Sequence, residues 1–304
     1  MTRHRLASAL ACLAIALPAA AASPSPADII KQSKPADWRP LDPQNTVVME
    51  VNGSPVVFEL APRFAPRHAA NVRKLVQGGY FSGLAVIRVQ DNFVAQWGDP
   101  NEESEDKSKL RPLGAAEAKL PAEFSIPYQG LPIARLSGAD GYAPVTGFVD
   151  GLPVAADPKR NRAWIPHCYG VIGAGRGDTV DSSNGSSLYA IIGQSPRALD
   201  LNITVVGRVL KGMEALSSLP RGGGAMGFYD KPEQNVPLGK VRLLADIPPA
   251  ERPAFEVMRT DTATWRALAE ARRHASGDWY VHSAEHVNVC NVSVPTRPLA
   301  QPAS

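Results

Sequence analysis

Arg88, Phe93 and Gln96 carry the chemistry of the stretch Ile87 to Asp99, which sets one cation among residues that would otherwise form a buried strand. Side chains on an extended run alternate faces, so a strand through Val86, Arg88 and Gln90 aims the guanidinium to one side. Phe93 and Gln96 converge on that side only if the chain bends at Asp91-Asn92, a turn-favouring pair. Arginine stays charged at any working pH and presents a fixed fork of donors, so such a site would stabilise an acceptor rather than move a proton. A salt bridge at a strand end, beside a core phenylalanine and an incidental glutamine, accounts for the same three residues, and the segment alone does not choose.

Other chemistries find little support. Gly173-Ala174-Gly175-Arg176-Gly177 lacks a full G-x-G-x-x-G and is followed by no second βα unit with a spaced acid, so it does not read as a dinucleotide loop. Arg176-Gly177-Asp178 spells an adhesion tripeptide that a glycine-rich turn produces by chance. His282, Glu285, His286 and Cys290 have spacings a metal could use on a helix, but the valines among them favour strands, on which the four would not converge, and no metal is expected. No nucleophile elbow of the form G-x-S-x-G occurs.

The elements that must position Arg88 are legible around it. Val47, Met49 and Val51 alternate with polar neighbours, Asn52-Gly53 suits a tight hairpin, and Val56 to Leu60 returns as a second strand. Pro66 opens a helix with Ala69, Val72, Leu75 and Val76 at helical spacing, and Gly78-Gly79 stops it. Lys240 to Leu244 reads as a closing strand. Residues 23–45, rich in proline and serine, are expected to be a flexible linker with at most a short helix near Ala27 to Lys31. From 250 to 304 a helix over Pro253 to Ala275, stopped by Gly277, and one or two strands within Trp279 to Val294 are expected to pack on the exterior of the main domain; a partner-binding helix is the alternative.

With these elements in order, the chain resembles the cyclophilin-type peptidyl-prolyl isomerases. The family motif F-H-R-x-x-x-x-F-x-x-Q-x-G-D is matched at Arg88, Phe93, Gln96, Gly98 and Asp99, with Val86-Ile87 replacing its first two residues. Leu199-Asp200 through Val205-Val206-Gly207-Arg208-Val209 to Gly212-Met213-Glu214 resembles a second motif, and Leu120-Pro121-Ala122-Glu123-Phe124 a third. The likeness covers about residues 46–100 and 168–245. It implies a mainly β fold, a closed eight-stranded antiparallel barrel with flanking helices spanning 46–249, interrupted by an insertion at about 101–166 with short strands of its own or partial mobility.

The resemblance also implies the activity: cis-trans isomerisation of X-Pro bonds in proline-containing polypeptides, by a monomer that needs no cofactor. Arg88 would stabilise the twisted amide. Phe93, Val94, Tyr189 and Leu199 would form the proline pocket, with Ala174 and Gln96 along the peptide backbone. Ser187 and Tyr189 stand where the family shows glutamine and phenylalanine, and Ile203 where histidine is common, so a weakly catalytic or non-catalytic peptide-binding chaperone is the alternative.

Compartment and partners follow from the ends and the charge. Arg3 and Arg5, the apolar run Leu6 to Leu17 and the small residues Ala19 to Ala22 read as a signal peptide over 1–22, for a protein exported to a periplasm or beyond. The run is too short to span a bilayer, and the mature chain is expected to carry no integral membrane segment. Cleavage removes two of 32 basic residues and none of 29 acidic ones, leaving a nearly neutral chain with no call for nucleic acid. In an oxidising compartment Cys168 and Cys290 can form a disulfide; two buried thiols fit the sequence equally.

Overall fold

The computed structural model describes residues 24–102, 104, 106–275 and 279–299; the expected signal peptide and Gly277 lie outside them. Helix α1 (Pro26–Lys31) and strand β1 (Trp38–Pro40) precede the hairpin β2 (Thr46–Val51) and β3 (Ser54–Leu60), then α2 (Pro66–Gln77), β4 (Ala85–Val89) and β5 (Val94–Gly98). The insertion carries β6 (Ala134–Arg135), β7 (Val145–Val149), β8 (Leu152–Asp157) and β9 (Arg162–Trp164). β10 (Val171–Ala174), β11 (Leu188–Ile191), β12 (Val205–Lys211), α3 (Met213–Ser217) and β13 (Val236–Leu243) follow, and β14 (Phe255–Met258), α4 (Ala263–Arg273) and β15 (Thr296–Pro298) form the tail.

Eight strands close into an antiparallel barrel in the order β10-β11-β5-β4-β13-β2-β3-β12. Alternation along β2 sends Val47, Met49 and Val51 inward, where they meet Phe58, Trp97, Ile172 and Leu188 in the barrel core. Asn52 and Gly53, both at positive φ (47° and 80°), make the tight turn that returns β3 in register. α2 buries Ala69, Val72, Leu75 and Val76 against the same core.

The start of α2 depends on the third motif, at Glu123. Ala65 offers no side-chain cap, and the Glu123 carboxylate accepts instead from the backbone N–H of Arg67 (3.0 Å) and His68 (2.9 Å) and contacts His68 Nδ1 at 2.7 Å. Burial pushes the Glu123 carboxyl up, but the bonds from His68 and the two backbone amides outweigh it and hold the group below its ordinary range. A depressed folded pKa gives stability that is present above the ordinary glutamate value of about 4.3 and lost as pH falls through the folded value. Glu123→Gln is therefore expected to cost about 1–2 kcal/mol at pH 7. Thermal melts of wild type and variant should converge toward pH 3; a gap that persists in acid would show that the charge is not the cause.

A second core lies outside the barrel. Phe148 and Val154 of the insertion, Trp38 and Leu41 of the N-terminal segment, and Trp265 and Leu268 of the tail pack together there against Val57, Val171 and Val205 of the barrel. Of the segment 23–45, expected to be a flexible linker, the described residues 24–45 are folded: α1 carries a Ser25–Asp28 capping box, and β1 pairs with β14 in a three-stranded sheet completed by β15. The prolines initiate elements instead of preventing them, since Pro26 and Pro35 each stand in a first helical turn.

The tail departs from its expectation in two places. Phe255 and Met258 belong to β14 rather than to a helix, and α4 begins only after Thr262, whose hydroxyl accepts from Trp265 N. Residues 279–294 hold a single 3₁₀ turn, Val289–Asn291, and the strand comes later as β15. Cys168 and Cys290 are joined across this core, with Cα atoms 4.8 Å apart.

Candidate active site

β4 and β5 are neighbouring barrel strands whose register places Arg88 opposite Gln96. Asn92, at φ 51°, supplies the bend between them that brings Phe93 back over the guanidinium. Arg88 Nε donates to Met226 O (2.7 Å), Nη1 to Gln96 Oε1 (3.1 Å) and Nη2 to Gln90 Oε1. The cation lies 5.6 Å from the Phe93 ring centroid and 5.4 Å from that of Phe228. Arginine has five N–H donors, so these bonds leave one on each Nη. Burial pulls the Arg88 pKa below the ordinary arginine range.

Gln96 is fixed from its other end by Ser187, which accepts from Nε2 at 3.0 Å. Ser187, which also lines the cleft, thus orients the amide so that its oxygen faces Arg88. Beside this pair opens a cleft of about 410 Å³ lined by Phe93, Val94, Tyr189, Leu199 and Ile203. Phe93, Val94, Tyr189 and Ile203 form its apolar floor and wall, backed by the buried Ile191. The Tyr189 hydroxyl, which burial keeps protonated far above its ordinary pKa, lies 3.1 Å from His167 Nε2.

Ala174 is not in the cleft. Its side chain lies fully buried in the barrel core, and the next residues, Gly175, Arg176 and Gly177, line the cleft instead. Adjacent residues of a strand face opposite ways, so a placement off by one residue moves a side chain from groove to core. Met226 and Phe228 also line the site without having been expected there; the only hint in sequence is the glycine-rich run Gly222-Gly223-Gly224. Gly173 is required by close approach, because a Cβ there would sit 2.2 Å from the Tyr189 hydroxyl.

The arrangement holds a preorganised guanidinium beside a cleft with an apolar floor, whose rim also carries Glu102, Arg176 and Asp178. Comparison with known proteins fits this chemistry. The family model for cyclophilin type peptidyl-prolyl cis-trans isomerase/CLD matches residues 46–243. A Brucella suis protein named "Probable peptidyl-prolyl cis-trans isomerase" is 29% identical over 188 residues, covering 60% of this chain and 76% of the relative. A Synechocystis sp. protein named for a thylakoid lumen peptidyl-prolyl cis-trans isomerase is 27% identical over 183 residues, 58% of this chain and 44% of its own. The crystal structure of cyclophilin AquaCyp293 from Hirschia baltica superposes with a TM-score of 0.67 at 26% identity, covering 88% of this chain and 96% of that one. Since the matched span takes in every strand of the closed barrel and every expected groove residue from Arg88 to Ile203, the chain belongs to the cyclophilin-type peptidyl-prolyl cis-trans isomerase family.

Proposed function

We propose that this isomerase acts on X-Pro bonds of exported proteins and that Arg88 supplies its rate enhancement by binding the twisted amide. Rotation about a peptide bond meets a barrier of about 18–20 kcal/mol because the planar amide is conjugated. As the bond twists, the proline nitrogen regains its lone pair and becomes an acceptor. A donor that meets that nitrogen only in the twisted geometry lowers the barrier without touching either planar form. The observation that carries this reading is the clamping of Arg88 by Met226, Gln96, Gln90 and two aromatic rings at the edge of the apolar cleft. The proline ring would lie on Phe93, Val94 and Tyr189, with its carbonyl toward the remaining N–H groups.

Export is supported by residues 1–22, by the Cys168–Cys290 pair, which suits an oxidising compartment, and by the lumenal name of the Synechocystis relative. Among the described residues no helix is long and apolar enough to cross a membrane. The test is exchange spectroscopy on a short X-Pro peptide with the purified mature protein, together with N-terminal sequencing of protein recovered from the envelope fraction. Accelerated exchange and a start near Ser23 support the reading. Peptide binding without acceleration would favour the chaperone alternative, and an intact Met1 in that fraction would overturn cleavage.

A further inference from the structure

The insertion reaches the cleft through a continuous run of buried polar side chains. His167 Nε2 meets the Tyr189 hydroxyl, while its Nδ1 (3.2 Å) and backbone N–H (2.9 Å) face Asp200 Oδ1. A ring nitrogen facing a carboxylate carries a proton, so Nδ1 donates to Asp200 and Nε2 faces the Tyr189 hydroxyl. Asp200 Oδ2 accepts from Trp164 Nε1 (3.0 Å) and Arg197 Nε (2.6 Å), and Arg197 forks onto both oxygens of Asp140 at 3.0 and 3.2 Å. Asp140 in turn receives the backbone N–H of Tyr142 and Ala143. Asp140, Tyr142 and Trp164 belong to the insertion, and none of the charged side chains in the run is more than 7% exposed.

We propose that His167 is a positioning residue that fixes the Tyr189 ring in the cleft, and that the insertion sets the shape of the proline-binding floor through the Asp140–Arg197–Asp200–His167 run. Tyr189 has little freedom otherwise: Gly173 lies directly under its hydroxyl end, and the ring stands 6.4 Å from the imidazole at an interplanar angle of 15°. A phenylalanine in this place would be seated by packing alone. A tyrosine must bond its hydroxyl, and here its partner is fixed by a residue pair reaching into the insertion. The seat of the ring, and with it the affinity for the proline side of a substrate, then depends on Asp140 and Trp164, which do not line the cleft.

The inference rests on the proline ring lying over Tyr189, and the test separates the two. A double-mutant cycle between His167→Phe and Tyr189→Phe is read in KM and kcat for an X-Pro peptide, in the peptide Kd by NMR, and in melting temperature. His167→Phe is expected to raise KM and Kd about fivefold to thirtyfold with kcat within about twofold, and to have no further effect once Tyr189 is phenylalanine. Asp140→Asn, which keeps its size, should shift KM and Kd in the same direction by less, and likewise only when the Tyr189 hydroxyl is present. Effects that multiply in the double variants, or that follow melting temperature alone, would overturn the inference. The cycle in Kd remains readable if the wild type proves not to accelerate isomerisation, so failure of the catalytic reading does not pass for failure of this one.

Discussion

Arg88→Ala is expected to lose about 10²–10³ in kcat/KM for an X-Pro peptide while leaving the fold and much of the peptide affinity in place. That range is the usual effect of removing one preorganised donor from a site where charge or lone-pair density develops. The guanidinium is held by three hydrogen bonds and two rings, so under the proposed mechanism it would meet the twisted amide without a reorganisation cost at that moment. In the proposed reading, binding of the planar peptide would draw mainly on Val94, Tyr189 and Leu199 of the cleft, which neither hydrogen-bond to the guanidinium nor stack on it. The loss should therefore fall mainly on kcat. Arg88→Lys keeps the charge but replaces a planar fork by a point donor, and should recover only part of the rate. Arg88 lies outside the barrel core, so the melting temperature should change by no more than about 4 °C. A variant within threefold of wild type in a protease-coupled or NMR exchange assay would remove Arg88 from the mechanism.

The parts of this site that sequence reveals are those set by local periodicity. The β2–β3 hairpin is written in alternating valines and an Asn-Gly turn, and α2 in a 3.6-residue stripe between Pro66 and Gly78. The convergence of Arg88, Phe93 and Gln96 is likewise local, needing one bend at Asn92. Ala174 was misplaced because it sits between two glycines, which carry no side chain to reveal which face is inward. Met226 and Phe228 reach Arg88 from 138 and 140 positions away through a glycine-rich loop with no period of its own. His167 is silent for the same reason: its partners Asp200 and Tyr189 are 33 and 22 residues off, and no spacing rule links them. In the tail, Phe255 and Met258 stand three apart and satisfy helical spacing as well as a strand. What separates the two is the Thr262 hydroxyl, which caps the helix that begins after it.

Replacing both Cys168 and Cys290 by serine, or adding a thiol reductant, is expected to lower the melting temperature by about 10–15 °C without abolishing the fold. The bridge spans 122 residues, a loop that holds β10 to β14, α4 and most of the tail. Closing a loop of about 100 residues removes roughly 4.7 kcal/mol of chain entropy from the unfolded ensemble. In a protein of this size each kcal/mol is worth about 2–4 °C. The tail keeps other anchors: Val289, Val292 and Val294 are buried with Phe148 and Trp265, and β15 pairs with β14. Loss of the cross-link should thus appear as a shifted transition and not as a missing one, with far-UV dichroism at 25 °C unchanged. Alkylation before and after reduction checks the premise, since both thiols should be blocked only in the reduced sample. Two free thiols in freshly isolated protein, or reduced and oxidised melts within 2 °C of each other, would mean that the noncovalent core alone holds the tail. In that case the oxidising compartment would lose one of its three supports.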